Sequence, residues 1–172
     1  MNCKIINFKT LLPLMSGDKF WENYLREQLN SKNHNASLHL AIFVEPYLQY
    51  ILEGMKTIES RFSVKRSVPY NAIDKGDIIV MKKSGGPVLG ICYVSEAWFY
   101  KLNRHSWHSL KKEYKKALCA HEPEFWNSRK NAAFATLIKI DKVKSISPLM
   151  CNKKDRRGWV ILQKGKIQGG LL

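Results

Sequence analysis

The chain has 172 residues, 45% of them hydrophobic and 25% charged, the proportions of an ordinary soluble globule in which one domain is expected to bury a core without staples. Its 29 Lys and Arg against 14 Asp and Glu leave a net charge of +15. That balance argues against a small neutral metabolite as the main partner and for an extended polyanion, because each bound cation releases condensed counterions. The apolar runs are interrupted by Lys, Asn or Gly, so no membrane partner is expected.

The excess charge is unevenly placed. Residues 1–100 carry 12 basic and 9 acidic residues, whereas residues 101–172 carry 17 and 5. The second half is the electrostatic footprint. Cysteines at 3, 92, 119 and 151 form no CxxC pair, so neither a zinc ribbon nor a disulfide framework is expected, and the thiols read as buried or idle. Cys119 and His121 lack a second pair of ligands, so no metal or other cofactor is expected. Asn7, Lys9 and Thr10 interrupt the N-terminal apolar run, against a signal peptide, and a cytoplasmic location is expected.

In chain order, residues 1–36 are expected to form a helical extension. Asp18 can cap a helix running to Leu29, with Trp21, Leu25 and Gln28 or Leu29 along one side. Trp21 is expected to pack this extension on the rest of the chain, with a dimer contact as the alternative. Leu38 to Phe43 is a short apolar strand. From Glu45 to Glu53, Tyr47, Leu48, Ile51 and Leu52 make one helix face, Pro46 suits the first helical position, and Gly54 suits the C-cap. At Thr57 the period changes to two, which puts Thr57, Glu59 and Arg61 on one strand face and Ile58, Ser60 and Phe62 on the other. A hydroxyl, a carboxylate and a guanidinium then stand in a row, with Lys56 at the turn before them.

Ser63 to Asn71 is polar and reads as an exposed loop. Asp74 to Asp77 is a turn, Ile78 to Met81 a buried strand, and Val88 to Val94 its hairpin partner. The hairpin tip at Ser84-Gly85-Gly86-Pro87, flanked by Lys82 and Lys83, either offers backbone N–H groups to a phosphate or is a tight turn that needs glycine. Residues 101–130 form a helical insertion. There Ser109 caps a helix with Leu110, Tyr114, Ala117 and Leu118 inward and Lys111, Lys112, Lys115 and Lys116 outward. Beside Arg104, His105, Trp107 and His108, these lysines are either a solvated face or a nucleic-acid contact. Ala132 to Ile146 is the longest strand, ending before Pro148. Lys153 to Gly158 is a basic loop, and Trp159 to Leu162 a closing strand.

Lys56-Thr57-Ile58-Glu59-Ser60-Arg61, preceded by Gly54 and followed by Ile73-Asp74-Lys75-Gly76-Asp77-Ile78-Ile79 and Gly86-Pro87-Val88-Leu89-Gly90, resembles the ASCH domain (activating signal cointegrator homology). The resemblance implies an α+β fold, a PUA-like small β-barrel with flanking helices. It divides the chain into an N-terminal helical extension over residues 1–36, the ASCH domain over 37–163 and a flexible basic tail over 164–172. It also implies binding of RNA or a modified nucleoside. Some small relatives hydrolyse N4-acylated cytidines, using a lysine that activates a threonine three residues on, with a distant glutamate assisting. Position by position that lysine is Lys56, but the nucleophile's place is taken by Glu59, which has no hydroxyl. Thr57 keeps its place, Ser60 points to the other strand face, and Glu122 and Glu124 fall where the assisting carboxylate is sought.

Two functional readings follow. As a binding module, the chain would use Lys56, Thr57, Glu59, Arg61, Lys83, Ser84, Arg156, Arg157 and Trp159. Arg61 offers a fork for phosphate or a base edge, Lys56 a mobile charge, and Glu59 an acceptor for an exocyclic amine. Trp98, Phe99, Tyr100 and Trp159 are stacking candidates, with core packing as the alternative, and Glu59 with Arg61 could equally be a structural ion pair. As a hydrolase of N4-acylated cytidine or of RNA phosphodiester, Lys56 and Glu59 would form the catalytic pair, with Arg61 stabilising the oxyanion. An acidic protein partner is a third expectation. The binding module is the preferred reading.

Overall fold

The computed structural model describes residues 3–31, 35–153 and 156–166. Among them a six-stranded mixed sheet runs in the order β2-β5-β4-β3-β1-β6. The strands are β1 (Leu38–Phe43), β2 (Ile58–Ser63), β3 (Ile78–Lys83), β4 (Val88–Lys101), β5 (Phe134–Leu149) and β6 (Trp159–Gln163). The helices are α1 (Phe8–Leu11), α2 (Lys19–Asn30), α3 (Tyr47–Leu52), α4 (Arg104–Tyr114) and α5 (Pro123–Asn127). β1 and β3 are parallel and the other pairs antiparallel. The sheet curls into a half-barrel, an α+β architecture.

The unbroken apolar runs in β1 and β3 arise because the sheet is covered on both faces there. Leu38, Leu40, Ile78 and Val80 meet the N-terminal segment through Ile6, Phe8, Leu11, Met15, Trp21 and Leu25. Ala41, Phe43, Ile79 and Met81, one residue out of phase, meet Leu48 and Ile51 of α3 and Trp159. Trp21 packs as its spacing predicts, and its indole donates to Lys142 O at 2.8 Å. A third cluster joins Leu110 of α4 and Phe125 and Trp126 of α5 to Ile58, Ala135 and Leu137.

Several boundaries differ from the sequence expectation. α4 starts five residues before Ser109, because Asn103 and Ser106 form a reciprocal capping box that satisfies two orphan donors at once. β4 runs on to Lys101, so Trp98, Phe99 and Tyr100 lie on a strand. There they pack: Trp98 tilts against Tyr114, Phe99 against Tyr70, and the hydroxyls of Tyr100 and Tyr114 stand 3.4 Å apart. β5 continues through Pro148 to Leu149. Part of the basic loop, residues 154–155, and the tail from residue 167 lie outside the described residues.

The cysteine expectation is corrected. Cys3 and Cys151 form a disulfide across 148 residues of sequence, a pairing that no local spacing announces because only the tertiary approach of the N-terminal segment to the end of β5 creates it. No helix among the described residues is long and apolar enough to cross a membrane.

Candidate functional site

α3 and β2 meet at a corner made by Gly54, whose φ of +76° is a left-handed conformation that glycine adopts without a Cβ clash. The N–H of Gly54 closes on Ile51 O at 3.0 Å, and those of Met55 and Lys56 both reach Tyr50 O. This tight reversal folds Lys56 inward, leaving it 2% exposed. Nζ donates to Ile58 O at 2.7 Å and Leu118 O at 3.4 Å and lies 3.3 Å from Glu59 Oε2. All three donors of an ammonium are therefore met. The mobile charge expected at this turn is a fixed, buried cation, its pKa lowered by burial against the opposing pull of Glu59.

Glu59 is held from its other side by Arg61, whose Nε lies 3.0 Å from Oε1. The contact is electrostatic, since the Nε–H has no acceptor in line. The two terminal nitrogens reach elsewhere: Nη2 donates to Ile42 O at 3.0 Å and Nη1 to Gly158 O at 3.4 Å. The guanidinium also packs on the rings of Phe43 and Trp159, 5.0 and 4.9 Å away. Because β2 and β6 are the two edges of the sheet, Arg61 spans with a side chain the gap that no backbone ladder closes.

Trp159 is itself fixed by a buried polar chain. Its indole donates to His39 Nδ1 at 3.1 Å, and His39 Nε2 lies 3.0 Å from Asp77 Oδ2. An indole can only donate, so Nδ1 accepts and the ring proton sits on Nε2, facing the carboxylate. Asp77 also accepts from the N–H of Ser37 at 2.6 Å and of Asp74 at 2.9 Å. Trp159 is 3% exposed and serves as a support for Arg61 rather than as a surface for a base.

A cavity of about 260 Å³ opens over this cluster, lined by Phe43, Tyr47, Glu59, Arg61, Phe125 and Arg129 among others. Arg129 lies over the Phe125 ring at 4.0 Å, and its hydrogen bonds, to Phe125 O at 2.7 Å and Ser128 Oγ at 3.0 Å, all use Nη1. Burial lowers its pKa while Tyr47 and Glu59 pull it up, and a guanidinium stays charged throughout. Burial raises the pKa of the Tyr47 phenol, and Arg129 opposes this, so it faces the cavity as a neutral donor. Three cations and one carboxylate thus surround a space walled by aromatic rings. Sequence reasoning missed Tyr47, Phe125 and Arg129. The signal was present in the four-residue spacing of Phe125 and Arg129, which brings the cation just past α5 back over a ring one turn earlier.

The other expected site residues fall around the cavity or away from it. Thr57 precedes β2 and is exposed, and its backbone bonds to Ala117 and Ile140 turn it off the lining. Lys83 pairs with Glu45 at 3.5 Å and the Ser84 N–H donates to Phe43 O at 2.7 Å, so both sit beside the rim. At the hairpin tip, the N–H groups of Lys83, Ser84 and Gly86 all donate within the protein, and the buried Lys82 ammonium holds the carbonyls of Lys83 and Gly86. The phosphate-nest alternative therefore gives way to the tight turn. Arg156 and Arg157 are exposed just ahead of Gly158. Glu122 and Glu124 are exposed at the start of α5, which turns Phe125 toward the cavity in their place. Among the described residues no three His, Cys, Asp or Glu side chains gather as a metal requires.

Cys92 lies in the core, where burial first and Glu59 second push its thiol pKa far up. A thiol reagent applied to the native protein is expected to modify the half-exposed Cys119 and spare Cys92. Equal labelling of both, read by mass spectrometry, would contradict the burial.

No protein-family model matches the sequence, and no curated protein matches it. Among solved structures the chain is similar to ASCH from Zymomonas mobilis, with a TM-score of 0.60 at 16% identity over 74% of this chain and 88% of that one. Two single-residue variants of that protein give TM-scores of 0.59 and 0.60 at 17% and 15% identity, covering 74% and 76% of this chain and 91% of each of theirs. The fold is ASCH-like, as the motif resemblance implies.

Proposed function

We propose that the cavity between β1, α3, β2 and α5 binds a single nucleobase, as part of RNA or as a modified nucleoside. The observation that carries this reading is the pairing of Arg129 and Phe125 opposite Glu59 in a small aromatic-walled space with excess positive charge. At about 260 Å³ the cavity sits just below the usual span of small-molecule sites, roughly 300–1,000 Å³, which suits one base and excludes a helix. An unpaired base stacks on Tyr47, with Arg129 held over the Phe125 ring beside it. Glu59 keeps lone pairs beyond those facing Lys56 and Arg61, enough to accept from an exocyclic amine. Arg129, with Nε and Nη2 uncommitted among the described residues, takes a phosphate or a carbonyl edge.

One observation favours the hydrolase reading. Lys56 lines the cavity with its pKa lowered beside a carboxylate, the setting in which a lysine becomes a general base. Its three engaged donors weigh against that role and make it the anchor of Glu59. Incubation with acylated cytidines and short single-stranded RNAs separates the two. Turnover that disappears in Lys56→Ala would establish an enzyme. Retention without turnover supports the binding module, and Arg129→Ala is then expected to weaken it about ten- to a hundredfold, the loss of one charge-assisted hydrogen bond. Unchanged affinity in titration calorimetry would move the ligand out of this cavity.

A further inference from the structure

A second cavity, of about 430 Å³, lies between the start of α4 and the turn after α5, lined by Leu102, Asn103, Arg104, Trp107, Lys130 and Ala132. Two of these residues are cations contributed by different elements, one is a large aromatic, and none is a carboxylate. The end of α4 itself plays no part, because the Asn103 side chain already caps it. Trp107 is held edge-on to Phe62 at 5.5 Å and to Trp126 at 5.8 Å, so its ring orientation is set before any ligand arrives.

The two cavities share a wall. Phe62 lines the first and its ring abuts Trp107, which lines the second. Arg129 lines the first, and the next residue, Lys130, lines the second. Consecutive residues thus present positive charge to two adjoining spaces, each with its own aromatic face. An unpaired nucleic-acid strand has this repeat: a planar base and a phosphate per nucleotide, joined without a break. A duplex does not offer its base faces.

We propose that the second cavity is a subsite for the neighbouring nucleotide of a single-stranded RNA whose preceding base occupies the first, with the base against Trp107 and the phosphate between Arg104 and Lys130. This inference rests on the reading of the first cavity and adds its substrate class, an oligonucleotide in place of a free nucleoside. It also gives a role to part of the basic half of the sequence.

The test is a comparison of the full chain with Arg104→Ala/Lys130→Ala, using cytidine monophosphate and a labelled six-nucleotide pyrimidine RNA. The double variant is expected to bind the mononucleotide within twofold of the unaltered chain and the hexamer about tenfold more weakly. The slope of log affinity against log salt should fall by about 0.7, the contribution of one phosphate on a single strand. Arg129→Ala should weaken both ligands. Quenching of tryptophan emission by the hexamer should shrink in Trp107→Phe. If the double variant leaves hexamer affinity and slope unchanged while Arg129→Ala still weakens the mononucleotide, the second cavity fails and the first stands. If the unaltered chain binds neither ligand, both fail. Equal competition by double-stranded RNA would overturn the unpaired-strand assignment.

Discussion

Replacing Lys56 with methionine is expected to lower the unfolding free energy by about 3 kcal/mol, the lower end of the cost of breaking a buried ion pair. The lower end applies because Glu59, 5% exposed, keeps Arg61 at 3.0 Å after Lys56 is gone. The methylenes of methionine fill much of the space, so the loss reports charge and hydrogen bonding more than a void. Two carbonyls, of Ile58 and Leu118, lose their donor as well. Urea unfolding checks this, and a loss below about 1 kcal/mol, the range of exposed pairs, would show that the pair does not hold the corner. The pH dependence has a definite sign. The lysine pKa is lower in the folded protein than its ordinary value of 10.5. Between those two values the unfolded chain holds the proton and the folded chain does not, so stability rises with pH there. The gap between the unaltered protein and Lys56→Met should therefore widen as pH climbs toward the ordinary lysine value. A narrowing gap would mean that Glu59 outweighs burial.

Asp77→Ala is expected to be at least as damaging, at about 4 kcal/mol. The substitution strips an acceptor from the buried His39 Nε2 and from the part-buried N–H groups of Ser37 and Asp74; a buried donor left unmet costs about 1–3 kcal/mol, and the two part-buried ones add less each. Asp77→Asn, which keeps one carbonyl oxygen, should lose less than half as much. The effect should also reach the first cavity, because Asp77 fixes His39, His39 fixes the Trp159 indole, and the Trp159 ring supports the Arg61 guanidinium. Nucleotide affinity of the folded Asp77→Asn protein is the discriminating measurement. A fall in affinity supports the chain of positioning contacts, whereas unchanged affinity with reduced stability would confine Asp77 to the scaffold.

What the sequence displayed of this arrangement was its local part. The change of period at Thr57 correctly put Glu59 and Arg61 on one face, and Gly54 marked the corner. The apolar runs of β1 and β3 marked the strands buried on both sides. The long-range part was hidden. Once folded inward, Lys56 meets Leu118 O, 62 residues away. Arg61 is committed to Ile42 and Gly158, which no pattern on β2 could announce. Trp159, read as a stacking surface, is enclosed by contacts from β1. Ser109 and Asn103 are both competent caps, and only the reciprocal bond with Ser106 decided between them. Arg129 carries no mark in the motif, because the cavity is closed by a helix more than 60 residues further along the chain.

The gap spanned by Arg61 has a consequence for how the protein breathes. Everywhere else the half-barrel is held by ladders, and parting two strands means breaking many backbone bonds together. Between β2 and β6, among the described residues, no ladder closes the edge and the Arg61 guanidinium bridges it. Releasing it frees Ile42 O but leaves Gly158 O on the Ile42 N–H and every ladder intact, so opening at this edge is expected to cost less than global unfolding. The bridge and the wall of the first cavity are the same side chain. Any displacement of the Arg61 guanidinium therefore alters the sheet edge and the cavity wall together.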